Sequence, residues 1–128
     1  MANLTRKRLT REKLPESVIE KWNFQVLDEG FVPFPKRLLR CLGSVFNEDG
    51  GIERLAVVLA VADYRRPNLI HPPSVEYLAF IAGLPVERFR LRLAELHQQK
   101  LVTIAGSDDE LEVGIDGLLK LIQERTND

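Results

Sequence analysis

The chain has 128 residues, 45% of them hydrophobic and 29% charged, with a formal net charge of −1. That is enough material for one domain with a core of its own, and the longest apolar run, Leu55 to Ala62, is far too short to cross a bilayer. The lone Cys41 excludes an internal disulfide and suits a reducing compartment; with no export-signal pattern at the start, a cytoplasmic protein without membrane association is expected.

The charge is unevenly placed. Residues 1–13 carry Arg6, Lys7, Arg8, Arg11 and Lys13 against Glu12 alone. From Gly51 onward there are nine basic and twelve acidic side chains. A basic arm over 1–13, read as disordered, therefore leads into a mildly acidic body. Such an arm either neutralises phosphates or is simply a solvated tail.

Residues 14–50 read as an N-terminal extension that packs on or extends a main domain over 51–128. Leu14-Pro15-Glu16-Ser17 looks like a helix start, with proline tolerated in the first turn, and Val18, Ile19 and Trp22 share one face of that helix. Phe24-Gln25-Val26-Leu27 predicts a brief strand before the Asp28-Glu29-Gly30 turn. Phe31-Val32-Pro33-Phe34-Pro35 is expected to be extended, since a residue before proline is pushed out of the α region. Lys36 to Leu42 predicts a helix burying Leu38, Leu39 and Leu42 and stopping at Gly43. Asn47 to Gly51 is a loop and the expected subdomain boundary.

Ile52 to Tyr64 predicts a helix, ended by Arg65-Arg66-Pro67-Asn68. Leu69-Ile70-His71 is a short extended piece before Pro72-Pro73. Ser74 can cap a helix over Val75 to Ala82, its side-chain oxygen accepting an orphan backbone N–H. Gly83 supplies the positive φ of a turn, Leu84 plugs that turn, and Pro85 opens a helix to about Gln99 with Val86, Phe89, Leu93 and Leu96 at core spacing. Leu101 to Ile104 predicts a strand, Ala105 to Asp109 a turn, and Leu111, Val113 and Ile115 alternate inward on a returning strand. Asp116 can cap a last helix with Leu118, Leu119 and Ile122 toward the core.

Helix, short strand, helix, turn, helix and hairpin is the order of a winged helix-turn-helix, spanning residues 52 to 115. The fold class expected is mostly α with a small β-wing (α+β), carrying an N-terminal helical extension. In this fold the exposed face of the second helix of the pair projects outward as a recognition helix. Here it carries Arg88, Arg90, Leu91 and Arg92, and three arginines so close together suit phosphates or a guanine edge. Equally, Arg92 and Glu95 have the spacing of an ordinary exposed ion pair. Glu87 near the start of that helix and the acidic wing tip Asp108-Asp109-Glu110 would repel a phosphate backbone.

The run Leu55 to Ala62 is apolar on every side, so its helix must be buried all round. Either the N-terminal segment covers it or a second subunit does. Leu55, Val58 and Leu59, with Trp22, Phe31 and Phe34, are the candidate self-association residues. Phe80 stands out as an apolar side chain at a position that is normally solvated. No His/Cys/carboxylate spacing suggests a metal, no glycine fingerprint suggests a phosphate or dinucleotide cofactor, and nothing brings Cys41 to a histidine as nucleophile and base. The sequence therefore predicts no catalytic residues, no metal and no cofactor.

Taken in order, VPFPKRLLRCL, IERLAVVLAVA, HPPSVEYLAFIAGLPVERFRLRLAELHQQKLVTI and IDGLLKLI resemble the N-terminal winged-helix domain of the bacterial primosomal DnaD proteins. The N-terminal domains of phage replisome organisers are a looser likeness. The resemblance implies a self-association and protein-interaction module of replication initiation, with DNA affinity residing in a separate C-terminal domain. The sequence thus leads to a non-enzymatic winged-helix protein of bacterial DNA transactions, a homodimer or higher oligomer partnering replication or transcription proteins, with double-stranded DNA as an open partner. Two alternatives stand beside it: a small dimeric transcriptional regulator that inserts Arg88, Arg90 and Arg92 into DNA, and an adaptor without nucleic-acid binding.

Overall fold

A computed structural model describes residues 10–27, 34–64 and 71–126. The chain divides into two compact units, residues 1–33 and residues 34–128. Arg6, Lys7, Arg8 and Phe31 lie outside the described residues, as does the side chain of Trp22.

In the first unit a 3-10 turn over Arg11–Lys13 leads into α1 (Glu16–Trp22) and α2 (Phe24–Leu27). Asn23 separates the two helices with a φ of 74° and a ψ of 138°, a positive-φ conformation outside the left-handed helical region. Leu14, Ile19 and Leu27 form a small apolar cluster. The strand expected at Phe24–Leu27 is therefore a single helical turn. Leu27 joins the cluster while the β-prone Val26 is exposed, so β propensity yields to context here.

The second unit holds α3 (Lys36–Val45), α4 (Gly51–Tyr64), α5 (Val75–Ala82), α6 (Val86–Gln98), the hairpin β1 (Thr103–Gly106) and β2 (Leu111–Gly114), and α7 (Asp116–Thr126). It is mostly helical with a small two-stranded antiparallel sheet, in which Thr103 pairs with Gly114 and Gly106 with Leu111. Helices α4, α5 and α6 pack on one another, and α3 packs on α7. One continuous core includes Leu38, Cys41 and Phe46 together with Val57, Val58 and Val61 of α4, Leu78 of α5, Phe89, Leu93 and Leu96 of α6, and Leu118 and Ile122 of α7.

This core redraws the expected organisation. Residues 34–50 share the main hydrophobic interior, and the division falls at Pro33/Phe34, not at the loop before Gly51. Helix α3 runs through Gly43 to Val45; that glycine is exposed with open space around it, so the helix bears only the roughly 1 kcal/mol propensity cost. Leu38, Cys41, Leu42 and Val45 define the inward stripe, and Leu39 falls off it, 59% exposed. Leu119 departs from expectation in the same way, 47% exposed beside buried Leu118 and Ile122.

The local signals around α5 and α6 are met in detail. Ser74 Oγ accepts from Tyr77 N at 3.1 Å. Gly83 closes α5 with a φ of 73°, and Leu84 N donates back to Ala79 O at 3.0 Å, a left-handed cap that satisfies the helix's last carbonyls. Ala79 is buried, which permits the close passage of α6. Tyr64 and Tyr77 meet edge to face at 5.2 Å, tying α4 to α5. The first strand starts at Thr103, two residues later than expected, because Leu101 and Val102 are buried and Leu101 O accepts from Leu118 N. Asp116 is itself the first residue of α7.

Candidate functional site

The exposed face of α6 follows from its placement. Phe89, Leu93 and Leu96 are buried, so Glu87, Arg88, Arg90, Leu91 and Ala94 are turned toward solvent. Glu87 sits in the first turn, where a carboxylate is favoured by the positive end of the helix dipole.

Arg88 and Arg92, one helical turn apart, both reach Glu53 on α4. Arg88 Nη1 donates to Glu53 Oε2 at 2.6 Å and Arg92 Nε to Glu53 Oε1 at 2.8 Å. Arg92 Nη1 also donates to Glu95 Oε1 and Oε2 at 3.0 and 3.3 Å. Glu95 Oε1 in turn accepts from Arg54 Nη1 at 3.0 Å, and the same nitrogen donates to the Asp49 carbonyl at 3.1 Å. The result is a chain of alternating charge, Arg88–Glu53–Arg92–Glu95–Arg54, that stitches α6 to α4 and to the loop before it. Hydrogen bonds from Arg92 and then Arg88 hold the Glu53 carboxyl below its ordinary value. Glu95 is lowered chiefly by Arg92, with Arg54 adding to it against the opposing effect of burial.

Arg54 is the least expected member. It is 3% exposed, and its Nε has no hydrogen-bond partner among the described residues. A buried cation persists only where carboxylates and carbonyls compensate its lost hydration. Glu95 and the Asp49 carbonyl do so on one side of the guanidinium.

Arg90 is engaged separately. Its Nη1 and Nη2 donate to Asp108 Oδ1 and Oδ2 at 3.0 and 2.8 Å, a two-pronged pairing between α6 and the hairpin tip. The bonds from Arg90 keep the Asp108 carboxyl below its ordinary value and raise that of the guanidinium. An open groove of about 540 Å³ lies beside the first network, lined by Phe46, Gly50, Gly51, Ile52, Glu53, Arg88 and Arg92.

The recognition-helix candidates are thus brought together on one helix, but each arginine meets a carboxylate of the same chain. Leu91 is exposed among them. Arg11 is exposed in the first unit, 3.5 Å from Glu16. Of the self-association candidates, Val58 is inside the core, Leu55 and Leu59 are half-buried, and Phe34 is partly exposed. Val58 is thereby corrected: the chain's own core occupies it, leaving no surface for a second subunit. Phe80 is half-buried. Sequence reasoning found the Arg92–Glu95 pair but missed Glu53, Arg54 and Asp108 as partners. The one available signal was Arg54 itself, the single cation of a largely apolar helix.

Among the described residues no group of His, Cys, Asp and Glu could hold a metal, and no helix is long and apolar enough to cross a membrane. Comparison with known proteins finds no matching family model, curated protein or solved structure.

Proposed function

We propose that residues 34–128 are a winged helix-turn-helix domain, and that the chain is a non-enzymatic self-association and protein-interaction module of bacterial DNA transactions, similar in role to the N-terminal domain of DnaD proteins. The domain reading is supported by the mutual packing of α4, α5 and α6, the left-handed turn at Gly83 and the hairpin that follows. The observation that carries the functional reading is the state of α6. A helix built to read bases offers open guanidinium forks to guanine edges, whereas Arg88, Arg90 and Arg92 are each held by Glu53, Glu95 or Asp108. Apolar side chains remain at the surface of α3 and α7, at Leu39 and Leu119, and Phe34 precedes α3.

The test is light scattering for mass, paired with duplex retention at two salt concentrations. A mass above the monomer with weak, salt-sensitive retention is expected. A monomer at high protein concentration overturns the self-association reading. A second reading, a dimeric transcriptional regulator, is favoured by the half-exposure of Arg88 and Arg90 on either side of exposed Leu91. For it, replacing Arg88 and Arg90 with alanine abolishes sequence-selective binding; unchanged selectivity removes it. Retention absent at every salt concentration leaves the adaptor without nucleic-acid contact.

A further inference from the structure

The wing tip is held against the helices by main-chain and side-chain ties. Val75 N donates to Asp108 O at 2.8 Å and Leu111 N to Pro73 O at 2.8 Å, while His71 Nδ1 and Glu110 Oε1 are 3.1 Å apart. These contacts fix the backbone of Asp108 independently of its side chain. The carboxylate is thereby delivered to Arg90 with both oxygens engaged, at 2.8 and 3.0 Å.

Two parallel N–H···O bonds from one guanidinium are the geometry in which arginine also binds a phosphodiester. Arg90 is 49% and Asp108 64% exposed, so an incoming anion can reach the pair from solvent, and an exposed pair of this kind is readily exchanged. The Glu53 pairs are less open: Glu53 is mostly covered and shared between two arginines.

We propose that Asp108 is a built-in phosphate mimic, an autoinhibitory latch that occupies Arg90 until the backbone of a DNA duplex displaces it. This rests on reading α6 as a helix that meets DNA. Contact then proceeds by exchange, with the wing carboxylate leaving the fork as the phosphate enters. Its removal frees one guanidinium and deletes one repelling charge from the approach.

The experiment measures duplex affinity of the full chain at several salt concentrations for the wild type, Asp108→Asn, Asp109→Asn, and Asp108→Asn combined with Arg90→Ala. Because Val75 bonds the carbonyl of residue 108, Asp108→Asn keeps the hairpin tie, and an unchanged thermal midpoint checks the fold. Asp108→Asn is expected to bind about tenfold tighter at low salt with the slope of log affinity against log salt little changed, since Arg90 meets the phosphate in both complexes, and the slope is expected to be shallower by about 0.9 once Arg90→Ala removes that contact. The gain is expected to vanish with Arg90→Ala and to be smaller for Asp109→Asn, which removes the same charge one residue on. Equal binding by wild type and Asp108→Asn overturns the latch and leaves DNA contact standing. Binding by neither overturns both. A gain that survives Arg90→Ala, that Asp109→Asn reproduces in full, or that appears equally toward polyglutamate also overturns it.

Discussion

Gly50 and Gly83 both hold left-handed backbone, with φ of 81° and 73°, yet their surroundings differ. A Cβ built on Gly83 meets nothing within 4 Å, whereas one built on Gly50 lands on the guanidinium of Arg92. Alanine at either position incurs about 1–2 kcal/mol of left-handed strain, partly offset by about 0.4–1 kcal/mol from a less flexible unfolded chain. Gly83→Ala is therefore expected to lose about 1 kcal/mol, a shift of roughly 0.7 M in the urea midpoint at a slope of about 1.5 kcal/mol per molar. Gly50→Ala bears the same backbone cost and in addition expels Arg92, breaking its bonds to Glu53 and Glu95. It should lose measurably more. The excess is expected to disappear in an Arg92→Ala background, where no guanidinium remains to be displaced, so the pair forms a double-mutant cycle with non-zero coupling. Equal losses at the two glycines, or an excess that persists without Arg92, would refute the reasoning.

Arg54→Ala, which empties the space of a buried side chain and strands part of Glu95's hydrogen bonding, is expected to lose about 3–5 kcal/mol. Arg54→Met keeps the apolar stem and removes the unpartnered Nε, so it should lose about 2 kcal/mol less; equal losses by chemical denaturation would contradict this. Leu118→Ala is expected to cost about 2–5 kcal/mol and Leu119→Ala less than about 0.5 kcal/mol, and a reversal would show that α7 presents a different face inward. Glu53, Glu95 and Asp108 all have lowered carboxyl pKa values. Their stabilisation is complete above the ordinary values of 4.5 and 3.8 and drains as pH falls through the lowered ones. The thermal midpoint by circular dichroism should be flat from about pH 7 to 5 and fall below about pH 4. A midpoint that rises on acidification argues against these pairs.

What was legible in the sequence was local. Ser74, Gly83, Pro85 and the spacing of Phe89, Leu93 and Leu96 each act within a turn or two of their own helix, and the structure follows them. Where two adjacent leucines competed for one inward position, pattern alone overcounted. Leu38 and Leu118 are the ones whose neighbours three and four residues on also meet the core, Cys41 and Ile122 buried and Leu42 and Leu121 partly buried, and Leu39 and Leu119 are left outside. The helix expected to end at Gly43 continued because an exposed glycine lowers helix propensity without forbidding it. The site was legible only in half. Its arginines were visible, but Glu53, Arg54 and Asp108 meet them through packing between elements far apart in the chain. The acidic hairpin tip was legible only as charge, and that its Asp108 also holds Arg90 of α6 was not.

Two of the hairpin's hydrogen bonds straddle Ser74, one accepted by Pro73 and one donated by Val75. The capped start of α5 and the closed end of the hairpin are consequently a single mechanical joint, although they lie far apart in sequence. Opening the hairpin exposes the Val75 and Leu111 amides in one event, so the two should exchange with solvent at a common rate, as members of one cooperative unit. Motion of the hairpin would then be transmitted directly to the entry of α5, so that it would act less as a free flap than as a lever pivoted on that serine.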